Sequence, residues 1–328
     1  MKSRSYWKSH YVVETDTDAI ERSIKLASFT SDGREFELVY FERDRHAPNI
    51  LISPGSGGHS YVFAELAYQM YLRNYNVFIM PKHGGYTISE LVARHGDAVR
   101  HIANNFNNRI GVFAEGLGGF VTFYLALSDE PLGSMALQNS PAILTEKKFQ
   151  DAILGGDRAA NRRKKLLPLL RILLKISPKV RLPISLYLNW KELIDTKEEN
   201  REIETRLVEK GYLKDPDFDK WYPLSAIMSL LSTPPPNSVA DLKIPTMFMV
   251  AKRGFGGRPY VDYLKDLYER LPSIKKKMVE VDGSVYWMLS HPKDAAKVIC
   301  GWFDETLQVE PYRKMGIERS IQAIGAES

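Results

Sequence analysis

The stretch RIGVFAEGLGGF, residues 109–120, contains the strongest fold signal in this sequence. Residues 110–113 form a short β-branched and aromatic run, which predicts a buried strand. The small residues of 114–119 follow it, and the apolar spacing of residues 120–127 predicts a packed helix. A strand, a sharp turn and a helix in this order are typical of a nucleophile elbow, whose motif is G-x-S-x-G.

The elbow motif has no nucleophile in this chain. The register Ala114-x-Gly116-x-Gly118 places a glycine where the motif carries its serine. The small residues that let strand and helix approach each other are present. We therefore expect the shape of an elbow without its reactive hydroxyl group.

The composition is that of an ordinary globular protein. With 328 residues, 44% hydrophobic and 26% charged, the chain is long enough for one large α/β domain with an insertion. The single cysteine, Cys300, excludes a disulfide framework and favours a reducing compartment. No apolar run follows Lys2 and Arg4, and no long uncharged apolar stretch occurs, so we expect a cytoplasmic protein without a signal peptide or membrane span.

Strand and helix patterns alternate along most of the chain. Residues 1–18 are polar and predict a loose lead-in, and residues 23–41 predict an antiparallel hairpin around Asp32-Gly33. Predicted strands then cover 49–53, 76–80, 110–113, 134–138, 246–250 and 275–281, and predicted helices cover 61–72, 88–103, 120–127, 260–270 and 293–307. Such alternation predicts a mostly parallel sheet, with the ligand site beyond the carboxyl ends of the strands.

The alternation stops between residues 141 and 245. This segment has helical periodicity without strands and ends near Pro234-Pro235-Pro236, which predicts a helical cap over the sheet edge. The predicted organisation is a first core part at residues 1–140, a helical cap insertion at 141–237, a second core part at 238–310 and a tail at 311–328.

Several motifs in this order resemble the α/β-hydrolase superfamily, in particular its monoacylglycerol-lipase and serine-aminopeptidase branch. Residues 49–58, NILISPGSGG, are similar to the strand and His-Gly loop that supply half of the oxyanion hole, and residues 60–67 to the first helix. Asn139-Ser140-Pro141 and Lys214-Asp215-Pro216 are similar to short motifs at the start of the cap and within it. The resemblance covers residues 23–307 and implies the α/β-hydrolase fold, with a mostly parallel sheet flanked by helices and an inserted helical cap.

The resemblance also places the catalytic triad of the family, and each of its three positions lacks the expected residue. The nucleophile position falls on Gly116, the acid position on Gly254 and the histidine position on Tyr286. Without serine there is no acyl-enzyme, and without histidine nothing takes a hydroxyl proton near neutral pH. The side chain of tyrosine titrates near pH ~10 and does not replace histidine as a base. The resemblance therefore implies a degenerate triad.

The oxyanion-hole scaffold is better retained. The resemblance implies that the N–H groups of Ser56 and Leu117 point into the site, and Lys82, Lys252 and Arg253 follow strands at the same edge. We expect a small acyl or carboxylate ligand, bound without serine-type hydrolysis, at Gly55, Ser56, Lys82, Glu115, Gly116, Leu117, Lys252 and Tyr286. The alternative is that these cations are simply solvated and Glu115 pairs with one of them.

An active enzyme would need relocated groups. A carboxylic ester hydrolase, another acyl hydrolase or a lyase could use Ser56 or Ser140 as the nucleophile with His83 or His291 as the base, although serines on loops mostly cap turns. Glu115 is a second candidate, as a general base or nucleophile one position before the elbow tip. Its side chain is expected to point away from the usual line of attack.

Neither a metal nor a cofactor is expected. The glycine-rich loop 54–58 lacks the Gly-Lys-Ser/Thr ending of a phosphate-binding loop. His59, His95 and His101 have no spacing typical of metal ligands. The site is therefore expected to act through its own side chains and backbone.

The cap contains a basic, leucine-rich segment at residues 158–181, preceded by a single acid, Asp157. Its leucines predict a lid that packs on the core, with the charged side chains on the solvent-exposed face. The alternative is a peripheral membrane or protein-interaction module, in which this segment lies on an anionic membrane surface. Nucleic acid is not expected as a partner, because no aromatic residues are interleaved with the basic ones.

Overall fold

The computed structural model describes residues 6–128, 130–154, 168, 170, 172–177, 179–186, 188, 190–253, 257–272 and 274–307. An eight-stranded sheet lies at its centre. Its strands are β1 (Lys25–Ser31), β2 (Arg34–Phe41), β3 (Asn49–Ser53), β4 (Asn76–Ile79), β5 (Ile110–Glu115), β6 (Ser134–Gln138), β9 (Thr246–Arg253) and β10 (Lys276–Ser284). Two shorter strands, β7 (Arg181–Pro183) and β8 (Trp221–Pro223), pair with each other outside this sheet.

The strand order in the main sheet is β1-β2-β4-β3-β5-β6-β9-β10. The pairs β1/β2 and β2/β4 are antiparallel, and all the others are parallel. Every residue of β3 and β6 is buried, which agrees with the continuous apolar runs that parallel strands need when both faces are covered. The predicted mostly parallel sheet is therefore confirmed.

Helices cover both faces of the sheet. Those described are α1 (Tyr6–His10), α2 (Thr17–Ser23), α3 (Ala64–Tyr71), α4 (Ile88–Asn105), α5 (Gly116–Ala126), α6 (Lys147–Leu154), α7 (Glu198–Thr205), α8 (Leu224–Ser232), α9 (Gly257–Arg270), α10 (Trp287–Ser290) and α11 (Pro292–Thr306). α4 begins with a capping box, in which Thr87 and Glu90 each bond the other's backbone N–H group. α5 begins one residue after β5 ends, so the elbow has no loop at all.

The amino-terminal segment differs from its prediction. We expected residues 1–18 to be a loose lead-in, yet the described part contains α1 and the start of α2. Trp7, Tyr11 and Ile20 are all at most 2% exposed. Two helices of five and seven residues are too short to show an apolar period, so only the tertiary packing reveals them.

The cap differs from its prediction in one respect. Besides helices it contains the ribbon of β7 and β8, which the sequence pattern did not predict. Strands of three residues that include prolines have too few positions for an alternating pattern. The cap is joined to the loop of residues 54–59, which we name the oxyanion loop after the family loop that it resembles, because Gly57 donates its N–H to Tyr222 Oη at 2.8 Å and its carbonyl oxygen accepts the N–H of Asp219 at 3.0 Å.

Most of the basic cap segment and the tail at 311–328 lie outside the described residues. In the described part of that segment Ile172 and Ile176 are 57% and 77% exposed. A contact between this surface and an anionic membrane stays a prediction. Among the described helices, none has both the length and the apolar character required to cross a bilayer.

Candidate functional site

An apolar cavity of about 120 Å³ lies between the carboxyl edge of the sheet and the cap. The core contributes Ser56, Glu115, Gly116, Leu117 and Asn139, all of which follow or end strands. The cap contributes most of the apolar wall, including Phe149, Leu188, Trp190, Leu193, Tyr212 and Phe218. The cavity therefore occupies the edge of the sheet where the sequence predicts a ligand site.

Gly116 forms part of the cavity lining at the elbow. Its φ of +50° lies in the left-handed region, which glycine adopts with little strain. A Cβ atom added there would have Gly55 Cα, at 3.7 Å, as its nearest neighbour. The turn thus has room for a nucleophile side chain, and the chain supplies none.

Glu115 lines the same cavity, contrary to the expectation that its side chain would point away. Its Oε1 atom accepts the N–H of Gly55 at 2.8 Å. A Cβ atom on Gly55 would lie 2.1 Å from Oε1, so the carboxyl group of Glu115 can approach the backbone this closely only because residue 55 is a glycine. The carboxyl group turns towards the cavity because the oxyanion loop offers it a donor at close range.

Burial raises the pKa of Glu115 to about 7, and the N–H of Gly55 opposes this shift in part. Only one hydrogen bond reaches its carboxyl group from the described residues. A carboxyl group with a pKa near neutrality can both accept and donate a proton at physiological pH. Glu115 is therefore the side chain in the cavity best suited to acid–base chemistry.

Two further groups can donate hydrogen bonds to a ligand, and a third polar side chain lines the cavity. Leu117 is in the first turn of α5, where backbone N–H groups lack partners within the helix, and Ser56 lines the cavity beside it. Asn139, a lining residue that we did not predict, has a buried Nδ2 group without a partner in the described structure. Its position directly after β6 could have identified it from the sequence.

Tyr286, which the resemblance places at the histidine position of the triad, cannot act as a base. Its hydroxyl group donates to the carbonyl oxygen of Trp190 at 2.9 Å, and burial raises its pKa well above the usual value. It also contacts Tyr212, with ring centroids 5.7 Å apart and nearly perpendicular planes. No signal in the sequence singled out Tyr212, because a lone tyrosine in a helical cap is unremarkable. Gly254, the acid position, lies outside the described residues.

The predicted serine–histidine pairs do not meet in the described structure. His83 is buried with Nε2 3.2 Å from Ser53 Oγ, and burial lowers its pKa well below the usual value. His291 contacts Ser290 at 3.0 Å, and Ser140 donates to the carbonyl oxygen of Gln138 at 3.1 Å. Ser56 lines the cavity without a histidine partner among the described residues.

The predicted cationic ligands lie outside the cavity. Lys82 is paired with Asp219 at 3.2 Å, and Lys252 is exposed at the end of β9. Arg253 instead joins Asp195 of the cap through two hydrogen bonds, of 2.5 and 2.9 Å. Two of these cations are therefore paired with carboxylates and the third is exposed, and Glu115 pairs with none of the three, unlike in the alternative interpretation. In the part of the chain that the structure describes, no three potential metal ligands cluster.

Several solved structures with similar folds are lipases or other hydrolases. A soluble variant of monoglyceride lipase from Saccharomyces cerevisiae, in complex with a substrate analogue, matches at a TM-score of 0.63 and 14% identity, over 90% of this chain and 98% of that one. The monoacylglycerol lipase of Paleococcus ferrophilus matches at 0.57 and 14%, over 85% and 99%. The epoxide hydrolase VrEH1 of Vigna radiata matches at 0.55 and 13%, over 87% and 99%. No protein-family model and no curated protein sequence matches the chain.

Proposed function

We propose that this protein, which has the α/β-hydrolase fold, binds a small acyl compound in the cavity beneath its cap without serine-type hydrolysis. The observation that carries the proposal is the composition of the cavity floor. Gly116 stands at the position of the nucleophile, Glu115 precedes it, and the walls of the cavity are mainly apolar. Such a site has the features of a small-molecule site, a largely apolar cleft with a few convergent polar groups.

A neutral acyl group fits the cavity better than a carboxylate. The N–H groups of Ser56 and Leu117 are donors suited to a carbonyl oxygen. No lysine or arginine is among the described lining residues, whereas Glu115 adds negative charge when it ionises. A second carboxylate in this apolar space would be repelled and poorly solvated.

Ligand-observed saturation-transfer NMR with methyl ketones from butanone to 2-heptanone tests this binding. Affinity should rise about fourfold per methylene group, because each buried methylene contributes ~0.8 kcal/mol, until the cavity is full. Butanoate should bind more weakly than 2-pentanone above pH 7. Leu193→Trp, which fills the cavity, should abolish binding, and Leu72→Trp on the exposed surface should not. Equal signals from both variants, or no signal from any ketone, would refute the proposal.

The absence of serine-type hydrolysis is tested with a fluorophosphonate probe. We expect no labelling, since no serine in the described cavity has a histidine within hydrogen-bond distance to activate it. Strong labelling that disappears on Ser56→Ala or Ser140→Ala would instead support an active hydrolase with relocated groups.

A further inference from the structure

The carboxyl group of Glu115 faces the space that the missing nucleophile leaves open. Oε1 is held by the N–H of Gly55, and no described residue bonds Oε2. Apart from its chain neighbours and its own helix, the described atom nearest to a Cβ built on the neighbouring Gly116 is the Cα of Gly55, at 3.7 Å. A bound compound can therefore place a carbon atom where a serine-dependent enzyme has its hydroxyl group, next to a carboxylate oxygen.

The donors at the elbow are placed for an oxygen atom in the same space. Ser56 and Leu117 line the cavity, and in the described structure neither backbone N–H is used in a hydrogen bond. Groups of this kind stabilise the negative charge that develops on a carbonyl oxygen. A base on one side and oxyanion donors on the other are the requirements for removing a proton from a carbon next to a carbonyl group.

We infer that Glu115 moves a proton from and to the carbon atom adjacent to the carbonyl group of the bound compound, so that this carbon passes through an enolate. The inference rests on the proposed binding function. It assigns the cavity a proton-transfer activity of the isomerase class, for which the chain needs no nucleophile.

The step balances within the bound compound and Glu115. The carboxylate takes the proton, the electron pair of the C–H bond forms the C=C bond, and the carbonyl π pair moves onto oxygen. The donors at Ser56 and Leu117 hold the resulting enolate oxygen. Return of this proton, or of one that the Glu115 carboxyl group has exchanged with solvent, to carbon restores the carbonyl group, so no oxidant, reductant or leaving group is involved.

The surroundings of Glu115 favour this chemistry over hydrolysis. Among the described lining residues, Ser56 is the only serine or threonine. The remaining walls are mainly aromatic and aliphatic. Besides Glu115 and Ser56, the described lining offers few acceptors to position a hydrolytic water, whereas an apolar compound needs none. Exclusion of water also strengthens the interaction between the enolate and its donors.

The ionisable groups around Glu115 are few. Tyr212 of the cap and Tyr286 of the loop after β10 face it, and both have pKa values raised well above 10 by burial. Behind them Glu204, whose pKa burial raises to about 7, is held by Ser284 and the N–H of Asp195. On the oxyanion loop His59 is paired with Asp215. Glu115 is thus the ionisable group placed to control the step.

Deuterium incorporation from D₂O into 2-pentanone, followed by NMR, tests the inference. We expect exchange at the carbons beside the carbonyl at least tenfold faster than in buffer alone. Glu115→Gln should return the rate to that of buffer while saturation transfer still reports binding, because the amide oxygen can accept the same Gly55 N–H. Glu204→Gln, a buried carboxyl outside the cavity lining, should keep at least half of the rate.

The pH profile provides a second readout. The base must be ionised, so the rate should rise with pH and level off above about pH 7, the value to which burial raises the pKa of Glu115. Binding of 2-pentanone without accelerated exchange would overturn the inference and leave the proposed binding intact. Failure of 2-pentanone to bind would overturn both. Hydrolysis of methyl butanoate without exchange of its protons would also overturn the inference.

Discussion

Gly116 affects both the chemistry and the backbone energetics of the elbow. Its positive φ places the residue in a region that costs other L-residues about 1–2 kcal/mol. Glycine removes this strain together with the nucleophile. The open space above it then becomes part of the cavity, next to the carboxyl group of Glu115.

Restoring the serine tests this interpretation. Gly116→Ser should fold, because the nearest atom to its Cβ would be 3.7 Å away, and should lower the free energy of unfolding by about 1 kcal/mol. Urea denaturation measures this change. The variant should remain unlabelled by a fluorophosphonate probe, since Tyr286 stands at the histidine position and its hydroxyl is bonded to Trp190. Labelling would show that another residue supplies the base.

At the scale of elements, Arg253 connects three parts of the fold. It ends β9, bonds Asp195 of the cap twice and reaches Asp282 of β10 at 2.8 Å. The Asp195 side chain is fully buried, and Arg253 together with Asn200 holds the pKa of its carboxyl group below the usual range. This contact fixes the cap to the carboxyl ends of β9 and β10.

The neighbouring residues 252 and 253 provide a matched pair for this contact. Arg253→Met should lower the free energy of unfolding by about 2–3 kcal/mol, because Asp195 would be left buried without its cation. Lys252→Met removes the same charge from an exposed position and should change stability by less than ~0.5 kcal/mol. Urea denaturation at pH 7 compares them. Equal losses of stability in the two variants would mean that the net charge, and not the contact between Arg253 and Asp195, determines the effect.

At the scale of the whole molecule, the amino-terminal segment connects the core to the cap. Tyr11 donates to Asp215 Oδ2 at 2.8 Å, and the same oxygen lies 2.8 Å from His59 Nε2. The N–H groups of Val13 and Glu14 bond the carboxylate of Glu65 in α3, at 2.7 and 2.9 Å. A segment that we expected to be loose therefore supports the cap over the cavity.

Replacing Trp7 tests how much the amino-terminal segment contributes to stability, and Trp221 of the cap provides an exposed control. Trp7 is 1% exposed and stacks on Tyr61 with centroids 5.9 Å apart, so Trp7→Ala should cost about 3–5 kcal/mol. Trp221 is 53% exposed, so Trp221→Ala should lower the free energy of unfolding by less than ~1 kcal/mol. Thermal and urea unfolding provide both values. A small loss for Trp7→Ala would show that the segment merely rests on the core.

The order and type of the core elements could be predicted from the sequence. The predicted strand 134–138 coincides with β6, and the Asp32-Gly33 turn has φ values of 48° and 66°, as a two-residue hairpin turn requires. These features depend on side-chain period and local backbone preference, which are properties of neighbouring residues. Short helices and three-residue strands lack enough positions to show a period, so they were missed.

The sequence by itself determined the α/β-hydrolase fold, through the order of short motifs over residues 23–307, and the glycine at the elbow, because each of these motifs depends on a few consecutive residues. The tertiary structure alone decided which side chains line the cavity. Glu115 turns inward because Gly55, 60 positions away, presents its N–H there, and Lys82 is drawn to Asp219, 137 positions away. Hydrogen bonds and ion pairs of this kind act over a few ångströms. They depend on which distant segments the packed sheet and cap bring together.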